Sequence, residues 1–509
     1  MKNLFLITAI LFALNIGSAY AQTDALLEVK FWESHPDLAS VKAEVEKGFD
    51  FKSIKGTQDP VVLAIRNDAP VATIKYLLDQ PGIDLSHLVY EGRTYLHLAA
   101  YGGNAQAVDV LLDRRLDMYS LDSNGHTALT YAGFQGKLTK EVIDVFLRHG
   151  LDIHKKYETK DGANILLLSI PYDKDLVVTD YLLSKGLSLK TTDNDGNTAF
   201  NYAAKTGDIT IMKELLKRGG KYNENALIIA SQGTYRTANT IEVYKYLVDD
   251  LKINPKVVSQ TGQNVLHSIA HKRAQTEAVK YFLDKGVDVN QVDNGGNTPF
   301  MNATGGQNFE VVELMFPHFN IQNINVINAE GKSALQAAVE SGSGKTVSLL
   351  LKNGADVNVT DKEGNTLTYY LIESYRVPRG GRGPRGGDDN NAQLEDFNNK
   401  INALRDADLD FSVRQHNGMT IYHLAAAKNN LPLLKSIVKL NIDVNIQDNE
   451  GTTALHKAAM VAGNDTILKY LLSIGAKKDI KTEFDETAYS LAKENELLTK
   501  NNVSIDFLK

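Results

Sequence analysis

The chain of 509 residues has no cysteine and a single tryptophan. Without a thiol there is no disulfide framework, no thiolate zinc or iron–sulfur site, no cysteine nucleophile and no lipid anchor on cysteine. Positive charge is outnumbered: 55 Lys and Arg stand against 62 Asp and Glu, a formal charge of −7. That balance supplies no basic field for a nucleic-acid partner. Beyond the N-terminus no apolar run approaches the roughly 20 residues that span a bilayer. The rest is ordinary for a globular chain, with 43% hydrophobic and 23% charged residues, and unlike a disordered one. At about 150 residues per domain, length alone suggests three or so domains.

The first 21 residues read as a secretory signal peptide. Lys2 is followed by the apolar stretch Leu4–Ile16, then Gly17-Ser18 and the small-x-small triplet Ala19-Tyr20-Ala21, with Gln22 as the mature start. The apolar part is too short for an anchor. Export to the periplasm or the medium is expected. An exported chain without cysteine relies on packing alone.

An internal period replaces the domain count. Residues Asp122–Leu129 read Asp-Ser-Asn-Gly-His-Thr-Ala-Leu, and the pattern returns at Asp193–Phe200, Asp293–Phe300 and Asp448–Leu455. The residue two after the glycine, or its equivalent, falls at Asp59, Thr94, Thr127, Asn164, Thr198, Asn225, Asn264, Thr298, Ser333, Thr366, Thr420, Thr453 and Thr487. Ten of the twelve intervals lie between 33 and 39 residues; the exceptions are 27, before Asn225, and 54, before Thr420.

Most periods share one grammar. Asp or Asn then Gly makes a turn, and Thr, Ser or Asn follows as a helix N-cap. A short helix with paired small residues comes next, as at Ala99-Ala100, Ala203-Ala204, Ala337-Ala338, Ala425-Ala426 and Ala458-Ala459. A second helix carries an apolar run, such as Val108–Leu112 or Val347–Leu351. Gly150, Gly186, Gly219, Gly286, Gly354 and Gly475 stand where a left-handed C-cap is needed.

With Thr94–Ala100, Thr453–Ala459 and Lys352–Asn358, the chain resembles the ankyrin-repeat family from about Thr57 to its C-terminus. The resemblance implies an all-α repeat solenoid of about 13–14 units, helix pairs with short β-hairpin fingers between them. The physics agrees independently: one pair of this size cannot bury its own apolar face, so stability sums over neighbour interfaces. The expected organisation is a capping repeat over 22–56, repeats over 57–224, an irregular repeat over 225–263, and repeats over 264–365. A repeat over 366–419 carries an inserted loop at 376–395, and 420–509 holds further repeats and a cap. The irregular centre combines a shortened finger near Lys221–Glu224 with extra residues around Gly233–Thr240, as a joint between two stacks would. The inserted loop contains Arg376, Arg379, Arg382 and Arg385 among Gly and Pro, then Asp388-Asp389. It reads as a solvated loop, or as a contact for an acidic partner.

Two segments of the chain bear a partial likeness to familiar chemical motifs. Ser343-Gly344-Lys345-Thr346 ends like a phosphate-binding loop but has Val339 where the first glycine belongs, and no strand precedes it. His267 and His271 have metal-ligand spacing. However, His97, His267, His423 and His456 occupy a family position where the imidazole bonds within and between repeats. No catalytic residue, cofactor or metal is nominated.

Recognition is the better lead. Tyr101, Tyr131, Phe134, Tyr202, Tyr369, Tyr370 and Tyr422 fall on or beside first helices, and tyrosine is common in binding hot spots. In the family this helix and the finger tips line the concave face. The candidate tip residues are Ser123, Asn124, His126, Asn194, Asp195, Asn197, Asn294, Asn297, Lys362 and Glu363. The expected function is a non-enzymatic, exported scaffold for a protein partner, with no nucleic acid, membrane span or metal. The rival readings are an exported effector or envelope-protection factor, and an enzyme with its site in the irregular Tyr222–Thr261 region.

Overall fold

The computed structural model describes residues 25–54, 56–155, 162–234, 237–375 and 388–509. The signal-peptide reading of 1–21 and the arginine-bearing stretch 376–387 lie outside these residues.

Twelve of the thirteen anchor residues are helix N-caps. The cause is local: Asp59 Oδ1 accepts the Val62 N–H at 2.8 Å, and Asn164 Oδ1 accepts that of Leu167 at 3.1 Å, satisfying amides that the first turn leaves open. The exception is Asn225, which is the first residue of its helix, Asn225–Gln232. After the shortened finger the capping role passes to Asn223, whose Oδ1 accepts the Asn225 N–H at 3.1 Å. The six expected C-cap glycines all have φ between +74° and +99°, where a side chain would be strained.

The residues fall into two compact units, Met1–Ala226 and Leu227–Lys509. In the first, Val29–Glu33 packs against Pro60–Arg66, and a row of first helices continues through Tyr95–Tyr101, Ala128–Phe134, Ile165–Ser169 and Ala199–Ala204. Leu38–Glu46, Val71–Leu78, Ala105–Asp113 and Lys140–Arg148 form the second row. The single tryptophan, Trp32, is wholly buried in the cap and donates its indole N–H to the Leu26 carbonyl at 2.9 Å. In the second unit the first helices run from Val265–Ile269 through Pro299–Thr304, Ala334–Glu340, Leu367–Ser374, Ile421–Ala427 and Ala454–Val461 to Ala488–Glu494. The small residues sit in these rows: Ala99, Ala100, Ala203, Ala204, Ala425, Ala426, Ala458 and Ala459 are buried, which lets neighbouring helices approach closely.

Two expectations are corrected. Among the described residues the fingers form no strand, only three isolated antiparallel bridges, Val89 with Arg93, Thr192 with Thr198 and Ile327 with Ser333. Each finger has too few residues beside its turn to extend a ladder. The inserted loop also does not reach residue 395. A 19-residue helix starts at Asp388 and ends at Asp406, packing between Gly344–Lys352 and Leu431–Ile437. Buried Phe397, Ile401 and Leu404 give it an apolar stripe at helical spacing. Its Asp- and Asn-rich beginning hides this period in the sequence.

Candidate functional site

Six of the fingers are each built around one short polar side chain. The side-chain oxygen of Asp122, Asp193, Asp293, Asn328, Asp361 and Asp448 accepts the backbone N–H groups two and four residues on, at 2.8–3.0 Å. Asp and Asn are suited to this because they fold back onto their own turn. The same residue's N–H closes the turn on the carbonyl four residues on, at 2.8–3.2 Å. Burial works against ionisation of Asp361, but the Tyr370 hydroxyl at 2.6 Å and the Asn365 side chain outweigh it and hold the carboxyl below its ordinary pKa.

Neighbouring tips are tied together by backbone bonds. Ser123 N–H donates to the Glu91 carbonyl in the first unit. In the second, Asn294 donates to Thr261, Ala329 to Gly295, Lys362 to Glu330, Asn449 to Asn417 and Glu483 to Glu450, at 2.7–3.2 Å. The histidines brace the fingers from beneath. The Nδ1 atoms of His97, His267, His423 and His456 accept the N–H of Thr94, Asn264, Thr420 and Thr453 at 3.1–3.2 Å. Their Nε2 atoms meet the carbonyls of His126, Asn297, Thr452 and Glu486 in the next finger at 2.8–3.3 Å. Burial pushes all four pKa values down.

The structure gathers part of the nominated set. In the first unit Ser123 and Asn124 are exposed at one tip, where Asn124 Nδ2 donates to Glu91 at 3.2 Å. Behind them the His126 ring stacks on Phe134 with centroids 5.0 Å apart, Tyr101 packs on Tyr131 at 5.4 Å, and Phe134 meets Tyr172 edge-on at 5.4 Å. Asn194 and Asp195 are exposed two fingers along. In the second unit Asn294, Lys362 and Glu363 are exposed tips, and Asn297 is half-buried, its Oδ1 accepting from Asn328 at 2.8 Å. Four nominations turn inward. Tyr422 and Tyr370 are 2% exposed, Asn197 6% and Tyr131 9%. Asn197 bonds Asp193 at 2.8 Å, as does the half-buried Tyr202 through its hydroxyl at 2.9 Å. These residues hold fingers and helices together.

Sequence reasoning missed other surface residues. Leu88, Leu121, Val258, Val292 and Ile327 each stand one residue before the turn and are exposed. The legible signal was an aliphatic residue directly ahead of the turn-forming residue, as in Leu121-Asp122. Arg93 was missed as well; it pairs with Glu91 and lies 4.2 Å from the Tyr131 ring centroid.

The metal and phosphate readings lose their atoms to packing. Both His267 nitrogens are engaged, so it is not poised with His271 to bind a metal. Among the described residues no group of three or more His, Asp or Glu is placed to hold one. The Gly344 N–H, which a phosphate would need, donates to Asp396 Oδ1 at 2.8 Å, and a Cβ at Gly344 would lie 2.8 Å from Asn399. In the irregular segment Asn239 binds the Ala230 carbonyl at 2.8 Å and Gln275 binds that of Asn239 at 3.0 Å. This is polar bracing of an irregular backbone. No described helix is long and apolar enough to cross a membrane.

Comparison with known proteins agrees with this geometry. A family model for ankyrin repeats (3 copies) matches residues 61–157, 134–226, 166–258, 227–325, 266–361 and 392–482. The E3 ubiquitin-protein ligase KEG of Arabidopsis thaliana is 23% identical over 349 residues, 65% of this chain and 20% of the ligase. The phosphocholine transferase AnkX of Legionella pneumophila is 23% identical over 324 residues, 57% of this chain and 34% of the transferase. The nuclear factor NF-kappa-B p105 subunit of Gallus gallus is 25% identical over 262 residues, 50% of this chain and 24% of that protein. The chain therefore spans well under two thirds of the length of each of these three relatives.

Proposed function

The chain belongs to the ankyrin-repeat family, and from that premise we propose that it is a non-enzymatic scaffold. It binds a protein partner through its finger tips and the adjoining face of its first helices. The observation that carries this reading is the bonded edge of successive tips. The backbone there is held by neighbouring repeats, so tip side chains meet a partner at little ordering cost. Exposed aliphatic residues beside polar tips supply the mixed surface that recognition uses. The absence of a nominated acid–base set supports a binding role over catalysis, and the acidic balance of 62 to 55 charges favours protein over nucleic acid.

The test is affinity capture with the full chain and with a variant in which Asn124, Asp195, Asn294 and Glu363 become alanine. A protein held by the native chain and lost by the variant supports the proposal. Equal retention of every protein by both defeats it. Export is part of the proposal and rests on the grammar of residues 1–21. Protein recovered from the periplasm or medium should begin at Gln22, and a chain retaining Met1 in the cytoplasm would contradict it.

A further inference from the structure

Successive second helices of the first unit are joined by a recurring ion pair. The cation stands at or just past the end of one second helix, and the acid lies on or just past the second helix before it. Arg114 pairs with Asp79, Arg148 with Asp109, Lys185 with Asp144 and Arg218 with Asp180, at 2.5–3.3 Å. The cations close the helices Ala105–Asp113, Lys140–Arg148, Val177–Ser184 and Ile209–Lys217, where the last carbonyls also favour positive charge. Water reaches every pair: the four cationic side chains are 23–59% exposed and the four acidic ones 41–65%.

The second unit is joined differently. It begins with one more such pair, Lys285 with Asp249 at 2.8 Å. Beyond Thr276–Asp284 the described second helices share no ion pair. Phe316, Asn353, Val438 and Ile474 stand where the cation would be, and Lys428 with Glu373, at 2.7 Å, joins first helices instead. Asparagine side chains bridge these repeats. Asn290, Asn325 and Asn445 donate through Nδ2 to the carbonyls of His318, Gly354 and Gly475 in the next repeat, at 2.9–3.1 Å. Their Oδ1 atoms accept the N–H groups of Asn320, Asp356 and Lys477 at 2.7–2.9 Å. Asn290 and Asn445 lie four residues past the left-handed Gly286 and Asn441; in the first unit Tyr119, His154 and Lys190 stand four residues past the left-handed Arg115, Gly150 and Gly186.

The two kinds of joint answer salt differently. Exposed charges act over about 10 Å at 0.1 M salt and over about 3 Å at 1 M. An amide bridge has no net charge, so screening leaves it in place. Interfaces between repeats add, so four weakened ones are felt together when the first unit opens. We propose that the first unit is a salt-responsive section of the array. Rising ionic strength loosens its repeats from one another, while the amide-bridged repeats of the second unit keep their coupling.

Hydrogen exchange on the full chain, compared at about 0.1 M and about 1 M NaCl, tests this. One exposed pair changes an opening equilibrium by about two- to fivefold. Protection over 105–218 should therefore fall about tenfold between the two conditions, and over 299–352 and 431–475 by less than about twofold. A variant carrying Asp79→Asn, Arg114→Gln, Asp180→Asn and Arg218→Gln removes two of the four pairs. These side chains reach solvent, so its circular dichroism should match that of the native chain, and salt should lower protection of its first unit only about threefold. Asn325→Ala should reduce protection over 309–352 by the same factor at both salt concentrations. Equal loss in the two units, no loss in the first, or a tenfold loss that persists in the neutral variant overturns the proposal. Should that variant not fold, the comparison of the two units within the native chain decides.

Discussion

Replacing His423 by glutamine should keep the array folded while removing part of its sensitivity to acid. His423 is buried, its Nδ1 accepting from the Thr420 N–H at 3.1 Å and from its hydroxyl at 2.8 Å, while Nε2 faces the Thr452 carbonyl at 2.8 Å. Only the neutral ring with its proton on Nε2 satisfies all three, an assignment made from these partners. Burial is the main force pushing its pKa down, against the Thr452 carbonyl and Asp448, which push it up. The unfolded chain therefore binds more protons just below the ordinary value of about 6.5, and stability falls as pH drops through that region. The slope is at most about 1.4 kcal/mol per pH unit for one imidazole, so moving from about pH 6.5 to 5 costs at most about 2 kcal/mol.

The chain already holds the replacement elsewhere. Gln336 occupies the equivalent place and accepts the Ser333 N–H through Oε1 at 2.7 Å, leaving its Nε2 buried without a partner. His423→Gln should therefore preserve the cap, lose the link to Thr452 and cost about 1 kcal/mol near pH 7.5. Hydrogen exchange, corrected for intrinsic rates, should show a smaller loss of protection over 415–465 between pH 7.5 and 5 than in the native chain. An unchanged pH dependence there would refute the neutral-imidazole argument.

Four further outcomes follow from packing and backbone geometry. Leu350→Ala, at a wholly buried site, should cost about 2–5 kcal/mol. By hydrogen exchange the loss should appear around 334–374 before 25–226, because repeats couple to neighbours. A Cβ at Gly342 would lie 2.1 Å from the Thr304 carbonyl oxygen, so Gly342→Ala should cost about 3 kcal/mol or more in urea melts. Gly354→Ala meets no atom within 4 Å and carries only the strain of φ +89°, about 1 kcal/mol. Phe397→Ala should cost about 3–5 kcal/mol and expose the Asp388–Asp406 helix to limited proteolysis, which would separate its contribution from that of the rows beside it.

The repeat itself was legible because its causes are local. A turn acid, a glycine, a cap and a histidine three residues on each satisfy backbone groups within a few residues. Spacing thus located twelve caps without knowledge of any neighbour. Asn225 escaped because the shortened finger starts the helix early, with Asn223 accepting the Asn225 N–H. Other features depended on contacts between repeats. Tyr422 and Tyr131 look like surface tyrosines by position, yet adjacent helices cover them. The helix start at Asp388 is weak in propensity and is held by packing of Phe397, Ile401 and Leu404. Sequence alone determined the repeating unit, because local backbone bonds define it; tertiary structure decided which side chains remain exposed, because exposure depends on residues distant in the chain.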